Sequence, residues 1–572
     1  MTLSQRSLTG LLRTSRRLTV FLIKHPVFLT SLLLTGLVVG IRQVGGIQPW
    51  ELLTYDQLVR FRPDKEPDPR LLIVAITEED IRAQNRWPIS DEVIAQLLQR
   101  LQQQQPRTIG LDIYRDVPHP PGHQDLLKQL RAPNVISIRL LGNETKDAVP
   151  APQGVPENQV GLSDIVVDPD VVVRRSLLFA KTEDVDFYSF ALRLALNYLR
   201  IQPSQFKVHQ GNSIQLRNTI FPSLSATSGS YETLDDRGYQ IMLNYRTAKN
   251  VARQVTLTQV LEGKVEPSWI KDKMVLIGTT APSVRDLFLT PYNLSSNKSP
   301  ETPGVVVHAQ KASHLLSTVL DGYPLIWFWS DAVESLWIWA WAGAGALLAW
   351  RFRHPLWLGI AGVIGVGSLF GISYVVFLQA GWVPFVPAAI AFVGSGVAVV
   401  TYRLLYDALH DELTGLPNRA LFVSRLQTVI DQRKQFSNQT NEDSSFAVLL
   451  LGLDSFKAIN DSFGHRVADE LLASIANRIK SCLHPKDQMA RVGGDEFAIL
   501  LRHVRDPDEV AYLANRLQKQ VKIPFALGEQ DIVTTASVGI VLDQPNQPYQ
   551  PEDVLRDAHT AMNQAKAAGK AR

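Results

Sequence analysis

Chemistry concentrates at one turn of this chain. Gly493-Gly494-Asp495-Glu496 falls inside Gln488–Leu501, which reads as a hairpin reversing at those residues. Two glycines at a hairpin tip permit positive φ and a close approach of phosphate. The adjacent Asp495 and Glu496 point to different faces, so one can bind a divalent cation while the other takes a proton. Taken alone, a glycine-rich acidic hairpin is also ordinary turn chemistry. The elements around it decide between the two readings.

The turn lies in a soluble α/β stretch that begins near Asp411. Phe446–Leu453 (FAVLLLGL) reads as a buried strand, Val467–Leu483 as a helix, Ile532–Ile540 as a further strand and Pro551–Ala568 as a final helix. Upstream, three apolar spans cluster at approximately Leu336–Trp350, Leu356–Leu378 and Val383–Leu405, and a first spans Leu18–Ile41. With no small-residue cleavage site after Ile41, the first span reads as a retained anchor. Arg6, Arg13, Arg16 and Arg17 precede it, Arg351 and Arg353 lie between the second and third spans, and Arg403 ends the fourth. With four spans these groups fall on one side, which satisfies the positive-inside tendency and makes both termini cytoplasmic. Trp337, Trp339, Trp341, Trp357 and Trp382 sit near span ends, where indole rings favour the interface.

Between the first span and the cluster lies a globular α/β domain. Leu71–Ile76, Thr108–Tyr114, Val135–Leu141, Val171–Phe179 and Met274–Ile277 are strand-like. Val93, Ile94, Leu97, Leu98 and Leu101 form one apolar helix stripe, with Ser90 placed to cap it. The 572 residues exceed a single core, the net charge of +3 carries no polybasic footprint for nucleic acid, and the single cysteine, Cys482, excludes an internal disulfide or a multi-cysteine metal site.

Two family resemblances follow. Tyr55-Asp56, Arg60-Phe61-Arg62-Pro63, Pro67-Asp68-Pro69-Arg70, Arg86-Trp87-Pro88, Gly110-Leu111-Asp112-Ile113, Met274–Gly278 and Gly304-Val305 before His308-Ala309 resemble the type-two CHASE extracytoplasmic sensor domains over residues 45–325. The resemblance implies a sensor with an unspecified extracytoplasmic ligand. Asp112, Asp286 and Arg285 either line a pocket or are buried charges satisfied internally.

Asp411-Glu412-Leu413-Thr414-Gly415-Leu416-Pro417-Asn418-Arg419, Asp454 to His465, Gly493 to Phe497, Ser537-Val538-Gly539, and Ala561-Met562 with Ala565-Lys566 and Gly569-Lys570 resemble the GGDEF diguanylate cyclases over 407–572. That resemblance implies condensation of two GTP into cyclic di-GMP by a homodimer, with magnesium or manganese. It implies that Asn460 and Asp469 read guanine, that Lys457, Lys566 and Lys570 hold phosphates beside Gly493 and Gly494, and that Glu496 activates the 3′-hydroxyl. Asp495 and the Leu453 carbonyl become metal ligands, with Asp454 as a further candidate.

The sequence departs from that pattern. Family members usually carry D-x-D before F-K, and Gly452 stands where the first aspartate belongs. Strand alternation puts Gly452 and Asp454 on one face, roughly 7 Å apart. His484 replaces the arginine of an R-x-x-D product-inhibition pair whose aspartate is Asp487, so tight product inhibition is not expected. His559 and Asn563 stand where Asp and Tyr are usual. An impaired GGDEF domain that binds GTP and signals through dimerisation is the alternative.

The expected organisation is an N-terminus over 1–17, a transmembrane helix over 18–43, an extracytoplasmic α/β sensor domain over 44–330, three transmembrane helices over 336–405, and a cytoplasmic GGDEF domain over 406–572. The last is an α/β (α+β) nucleotide-cyclase-like fold with a central, mostly antiparallel sheet. The whole is placed in a bacterial inner membrane.

Overall fold

The computed structural model describes residues 26–142, 147–181, 186–202, 207–208, 213–293, 301–436, 445–502, 504, 506–527, 530–544 and 549–569. The chain divides into two compact units, Met1–Val399 and Val400–Arg572. Lys570 lies outside the described residues, as does the part of the expected first span before Pro26.

In the first unit the elements run α1 (Pro26–Gln43), α2 (Gln48–Phe61), β1 (Leu71–Ile76), α3 (Asp91–Gln103), β2 (Thr108–Asp112), α4 (His123–Leu130), β3 (Val135–Arg139), β4 (Val160–Leu162), β5 (Arg175–Lys181), β6 (Asp186–Tyr188), α5 (Phe190–Leu199), β7 (Tyr239–Met242), β8 (Arg253–Thr256), β9 (Met274–Thr279) and α6 (Gly304–Asp321). Then come α7 (Asp331–Arg351), α8 (Pro355–Leu378) and α9 (Val386–Leu409), whose residues from Val400 on belong to the second unit. A six-stranded parallel sheet has the order β8-β1-β9-β2-β3-β4. Every residue of β1 is buried, because helices cover both faces of a parallel sheet. Ile94, Leu97, Leu98 and Leu101 of α3 cover one face, with Leu72, Val74, Ile109 and Leu111. Phe190 and Leu194 of α5 and Val305 and Ala309 of α6 cover the other, with Ile73 and Leu276. A Cβ at Gly110 would come within 2.6 Å of Phe190, so glycine allows α5 to lie against β2.

Several expectations shift in detail. Ser90 occupies the N-cap of α3, yet its side chain makes no capping hydrogen bond. The strand expected over Val171–Phe179 starts at Arg175, because Val171 turns the chain at φ 66°. That turn brings Asp168 and Asp170 onto the buried Arg174 guanidinium, at 2.8 and 2.6 Å.

Among the described residues, four helices, α1, α7, α8 and α9, are long and apolar enough to cross a membrane. α9 begins at Val386 rather than Val383, after Pro384. Its first free amides, those of Phe385 and Val386, donate to Glu51 Oε1 and Oε2 at 3.0 and 2.8 Å.

The second unit contains α10 (Arg419–Phe436), β10 (Phe446–Leu453), α11 (Phe456–Phe463), α12 (His465–Cys482), β11 (Gln488–Gly493), β12 (Glu496–Arg502), α13 (Pro507–Val521), β13 (Ala536–Leu542) and α14 (Pro551–Ala567). Its sheet has the order β11-β12-β10-β13, with every pairing antiparallel. Phe422 and Ile430 of α10 join Val554 and Met562 of α14 on one face, and Leu471 and Ile475 of α12 join Leu517 of α13 on the other. The single strand expected over Ile532–Ile540 is two. Gln530–Ile532 pairs with Phe525–Leu527 in a separate ribbon, and β13 starts at Ala536. The break is held by Asp454, whose carboxylate accepts from Thr535 Oγ1 at 2.6 Å and Ser537 Oγ at 2.9 Å.

Candidate active site

β10 is buried along its whole length, and its end sets the geometry of the site. Gly452 pairs with Glu496 on β12 and with Ser537 on β13. The chain then leaves the sheet through Asp454 and Ser455, the latter in the left-handed region at φ 59°, and enters α11. The Leu453 amide donates to the Asp495 carbonyl at 3.2 Å, tying the strand end to the hairpin tip.

The tip itself is open. Neither Gly493 nor Gly494 takes a positive φ, and a Cβ at either would meet nothing within 4 Å. The expected need for left-handed backbone is therefore absent; what the glycines leave is clear approach to the exposed backbone.

Arg491 braces this tip from behind. Its Nε and Nη2 donate to the Gly494 carbonyl at 2.9 and 2.6 Å. Its Nη1 reaches Asp411 Oδ1 at 3.1 Å, and its amide donates to the Pro417 carbonyl. Asp411 also accepts from the Thr414 amide and hydroxyl, at 2.9 and 2.7 Å. Burial would raise the Asp411 carboxyl, but the Thr414 hydrogen bonds and the Arg491 guanidinium hold it below the usual carboxylate range. The 411–419 segment thus works as a brace for the hairpin, a role its residue types alone did not disclose.

α14 supplies the opposite wall. His559 Nε2 lies 3.2 Å from Glu496 Oε1, and Asn563 Nδ2 lies 3.2 Å from His559 Nδ1. The His559 ring thus stands between Asn563 and Glu496. One turn beyond, Lys566 Nζ lies 4.0 Å from Asp495 Oδ2. Arg419, Val492, Glu496, Glu552, Arg556 and His559 contribute to a cavity of about 240 Å³ beside Glu496.

The remaining predicted residues occupy the neighbouring helices. Lys457 is exposed on α11, and Asp469 is exposed in the first turns of α12. Asn460 lies on α11 near the helix junction at Gly464, and its Oδ1 is buried without a hydrogen-bond partner. Asp487 turns back to its own loop, accepting from the His484 amide at 2.9 Å. Cys482 is half-buried, with its thiol donating to the Arg478 carbonyl.

A cradle of two carboxylates for divalent cations does not fit these residues. Asp454 directs its carboxylate to Thr535 and Ser537, position 452 has no side chain, and Asp495 faces an ammonium. Among the described residues, no group of three His, Cys, Asp or Glu side chains gathers as a metal site.

In the first unit, Asp112 ends β2 under α6, with His308 Nε2 at 3.9 Å from its Oδ1. Burial and the neighbouring Asp286 push Asp112 well above the carboxylate range, while burial brings Lys311 down to about 8. Arg285 is exposed, at φ 59°. His308, already part of the motif before Ala309, and Lys311, which the sequence did not single out, are the buried partners that the fold supplies.

Comparison with known proteins accords with this division. The CHASE2 domain family matches residues 33–347, and the family described as "Diguanylate cyclase, GGDEF domain" matches 408–572. The chain is 37% identical over 183 residues to the bifunctional diguanylate cyclase/cyclic di-GMP phosphodiesterase MucR of Pseudomonas aeruginosa, covering 32% of this chain and 26% of MucR. It is 37% identical over 164 residues to the diguanylate cyclase TpbB of the same species, covering 28% of this chain and 36% of TpbB. The chain thus spans only about a quarter to a third of the length of these relatives. A solved structure of the TpbB GGDEF domain matches at 35% identity and a TM-score of 0.26, covering 28% of this chain and 91% of that one. With a CHASE2 match over more than half its length, followed by a GGDEF domain, the chain belongs to the CHASE2 domain family and carries a diguanylate-cyclase-type output domain.

Proposed function

We propose that this protein is a membrane-bound sensor diguanylate cyclase that condenses two GTP into cyclic di-GMP under control of its N-terminal domain. One observation carries the reading. The open tip at Gly493-Gly494 presents the Asp495 and Glu496 carboxylates beside a cation, Lys566, where a triphosphate can approach.

The roles follow from the chemistry. The unpartnered Asn460 carbonyl oxygen and the Asp469 carboxylate are acceptors suited to guanine's adjacent N1–H and N2–H donors, a pair adenine lacks. Lys457 and Lys566, with Lys570, neutralise phosphates. Two such sites meet head to head in a homodimer, each holding one GTP. The 3′-oxygen of one GTP attacks the α-phosphorus of the other, forming an O–P bond. The α–β bridging bond breaks, pyrophosphate leaves with the electron pair, and the hydroxyl proton passes to Glu496. His559, with Nε2 3.2 Å from Glu496 Oε1, stands beside that carboxylate. Repetition in the opposite sense closes the ring. In this reading the sensor domain faces the extracytoplasmic side of a bacterial inner membrane and both termini are cytoplasmic, in keeping with Arg351, Arg353 and Arg403.

Gly452 favours a second reading, in which the domain binds GTP and signals through dimerisation without turnover. The full-length protein in nanodiscs, given GTP with magnesium or manganese, decides between them by chromatography of the product. Cyclic di-GMP from the wild type, lost in Glu496→Gln, supports the cyclase. GTP binding with no product in either metal overturns it in favour of the receptor.

A further inference from the structure

The absence of a side chain at position 452 is matched by side chains of the facing helix that close over it. A Cβ built on Gly452 would lie 2.6 Å from Met562 Sδ, 2.8 Å from Lys566 Nζ and 3.0 Å from Lys566 Cε. The side chains of α14 therefore fill the space that a residue at 452 would occupy. The helix that carries Lys566 is held there by the packing beneath it. At Gly539 of β13, a Cβ would come within 2.1 Å of the Ala558 carbonyl oxygen and 2.4 Å of the Met562 amide nitrogen. The helix backbone is pressed onto the sheet at that point. Met562 is fully buried, and Lys566, one turn on, projects over the end of β10.

Charge gives this arrangement its consequence. Two carboxylates, at 452 and 495, would place two negative charges beside the triphosphate and would need divalent cations to bridge them to it. Here one carboxylate, Asp495, faces one ammonium, and the pair is close to neutral. An ammonium in that place repels a divalent cation and attracts phosphate oxygens directly.

We propose that Lys566, seated in the space left by Gly452, takes the charge-neutralising place of a carboxylate-held divalent cation, so that the site binds the triphosphate of GTP without one. This rests on the reading of the site as a GTP site and goes beyond it by specifying the ionic form of the ligand.

The test is the affinity of the full-length protein in nanodiscs for a fluorescent GTP analogue, measured with magnesium and with EDTA. The wild type is expected to bind in EDTA within about threefold of its affinity in magnesium. Lys566→Gln weakens binding in EDTA by about tenfold, as loss of one charge-assisted phosphate contact requires, and Lys566→Arg restores it. Gly452→Asp makes binding metal-dependent, with affinity in EDTA falling at least about tenfold below that in magnesium. The side chains a residue at 452 would meet end in flexible atoms, so this variant is expected to fold, and thermal melting checks that it does. Wild-type binding that disappears in EDTA overturns the inference and leaves the GTP reading standing. Absence of GTP binding under both conditions overturns both.

Discussion

Arg491 and Asp411 face each other at 3.1 Å, joining the turn that follows α9 to the back of the GGDEF hairpin. The same guanidinium holds the Gly494 carbonyl, so the orientation of Asp495 and Glu496 depends on a contact outside the hairpin. Removing it by Arg491→Ala should cost about 2 kcal/mol of stability and reduce cyclic di-GMP production more than GTP affinity. The sign of the pH dependence follows from Asp411, whose carboxyl is held low in the folded state. Its contribution is present above the unfolded carboxylate value and is lost as pH falls through the folded one. The stability gap between wild type and Arg491→Ala should therefore close on acidification, as read by melting temperature.

Glu51 supplies the cap of α9, and burial pushes its carboxyl up to about 7 from an ordinary value near 4.5, against the pull of the Phe385 and Val386 amides and Arg42. A raised folded value means the group's stability term is full below about 4.5 and lost as pH rises through about 7. Glu51→Gln should flatten that dependence. The difference in stability between variant and wild type should change by on the order of 3 kcal/mol across this window, read by melting of the full-length protein in detergent.

Arg174 binds Asp56 and Asp170 through Nη2 at 2.7 and 2.6 Å, and Asp168 through Nη1 at 2.8 Å, with its own side chain fully buried. Arg174→Ala would leave the buried Asp56 and Asp168 carboxylates without this partner. A loss of about 3–5 kcal/mol is expected, visible as a fall in the melting temperature of the N-terminal unit.

Gly539 and Gly452 make a contrasting pair. Gly539→Ala places a methyl against the backbone of α14, which has no room to yield, and should destabilise the C-terminal unit by about 3 kcal/mol. Gly452→Asp meets only the flexible ends of Met562 and Lys566 and should fold. It restores a second carboxylate, and product formation in magnesium should rise at least about tenfold. Limited proteolysis and product chromatography separate the two outcomes.

The central strands and the hairpin were legible because their apolar runs and turn residues are local signals. Leu71–Ile76 and Phe446–Leu453 needed only burial on both sides, and Gln488–Leu501 needed only its glycines. Apolar content places the start of α9 three residues early, because it does not register that Pro384 delays the helix and that Glu51, far away in sequence, accepts its first amides. The break before β13 is hidden from the sequence for a similar reason: Thr534-Thr535 reads as strand until Asp454 draws in the Thr535 hydroxyl.

By itself the sequence determined the order of modules, the apolar spans and the absence of a side chain at 452, since each is a matter of residue type and local period. Only the tertiary structure decided what that absence means. Gly539 lets α14 press onto the sheet, and this brings Lys566 over Gly452 and His559 to Glu496. Those contacts join residues more than sixty positions apart, and their distances depend on helix–sheet packing that no spacing along the chain encodes.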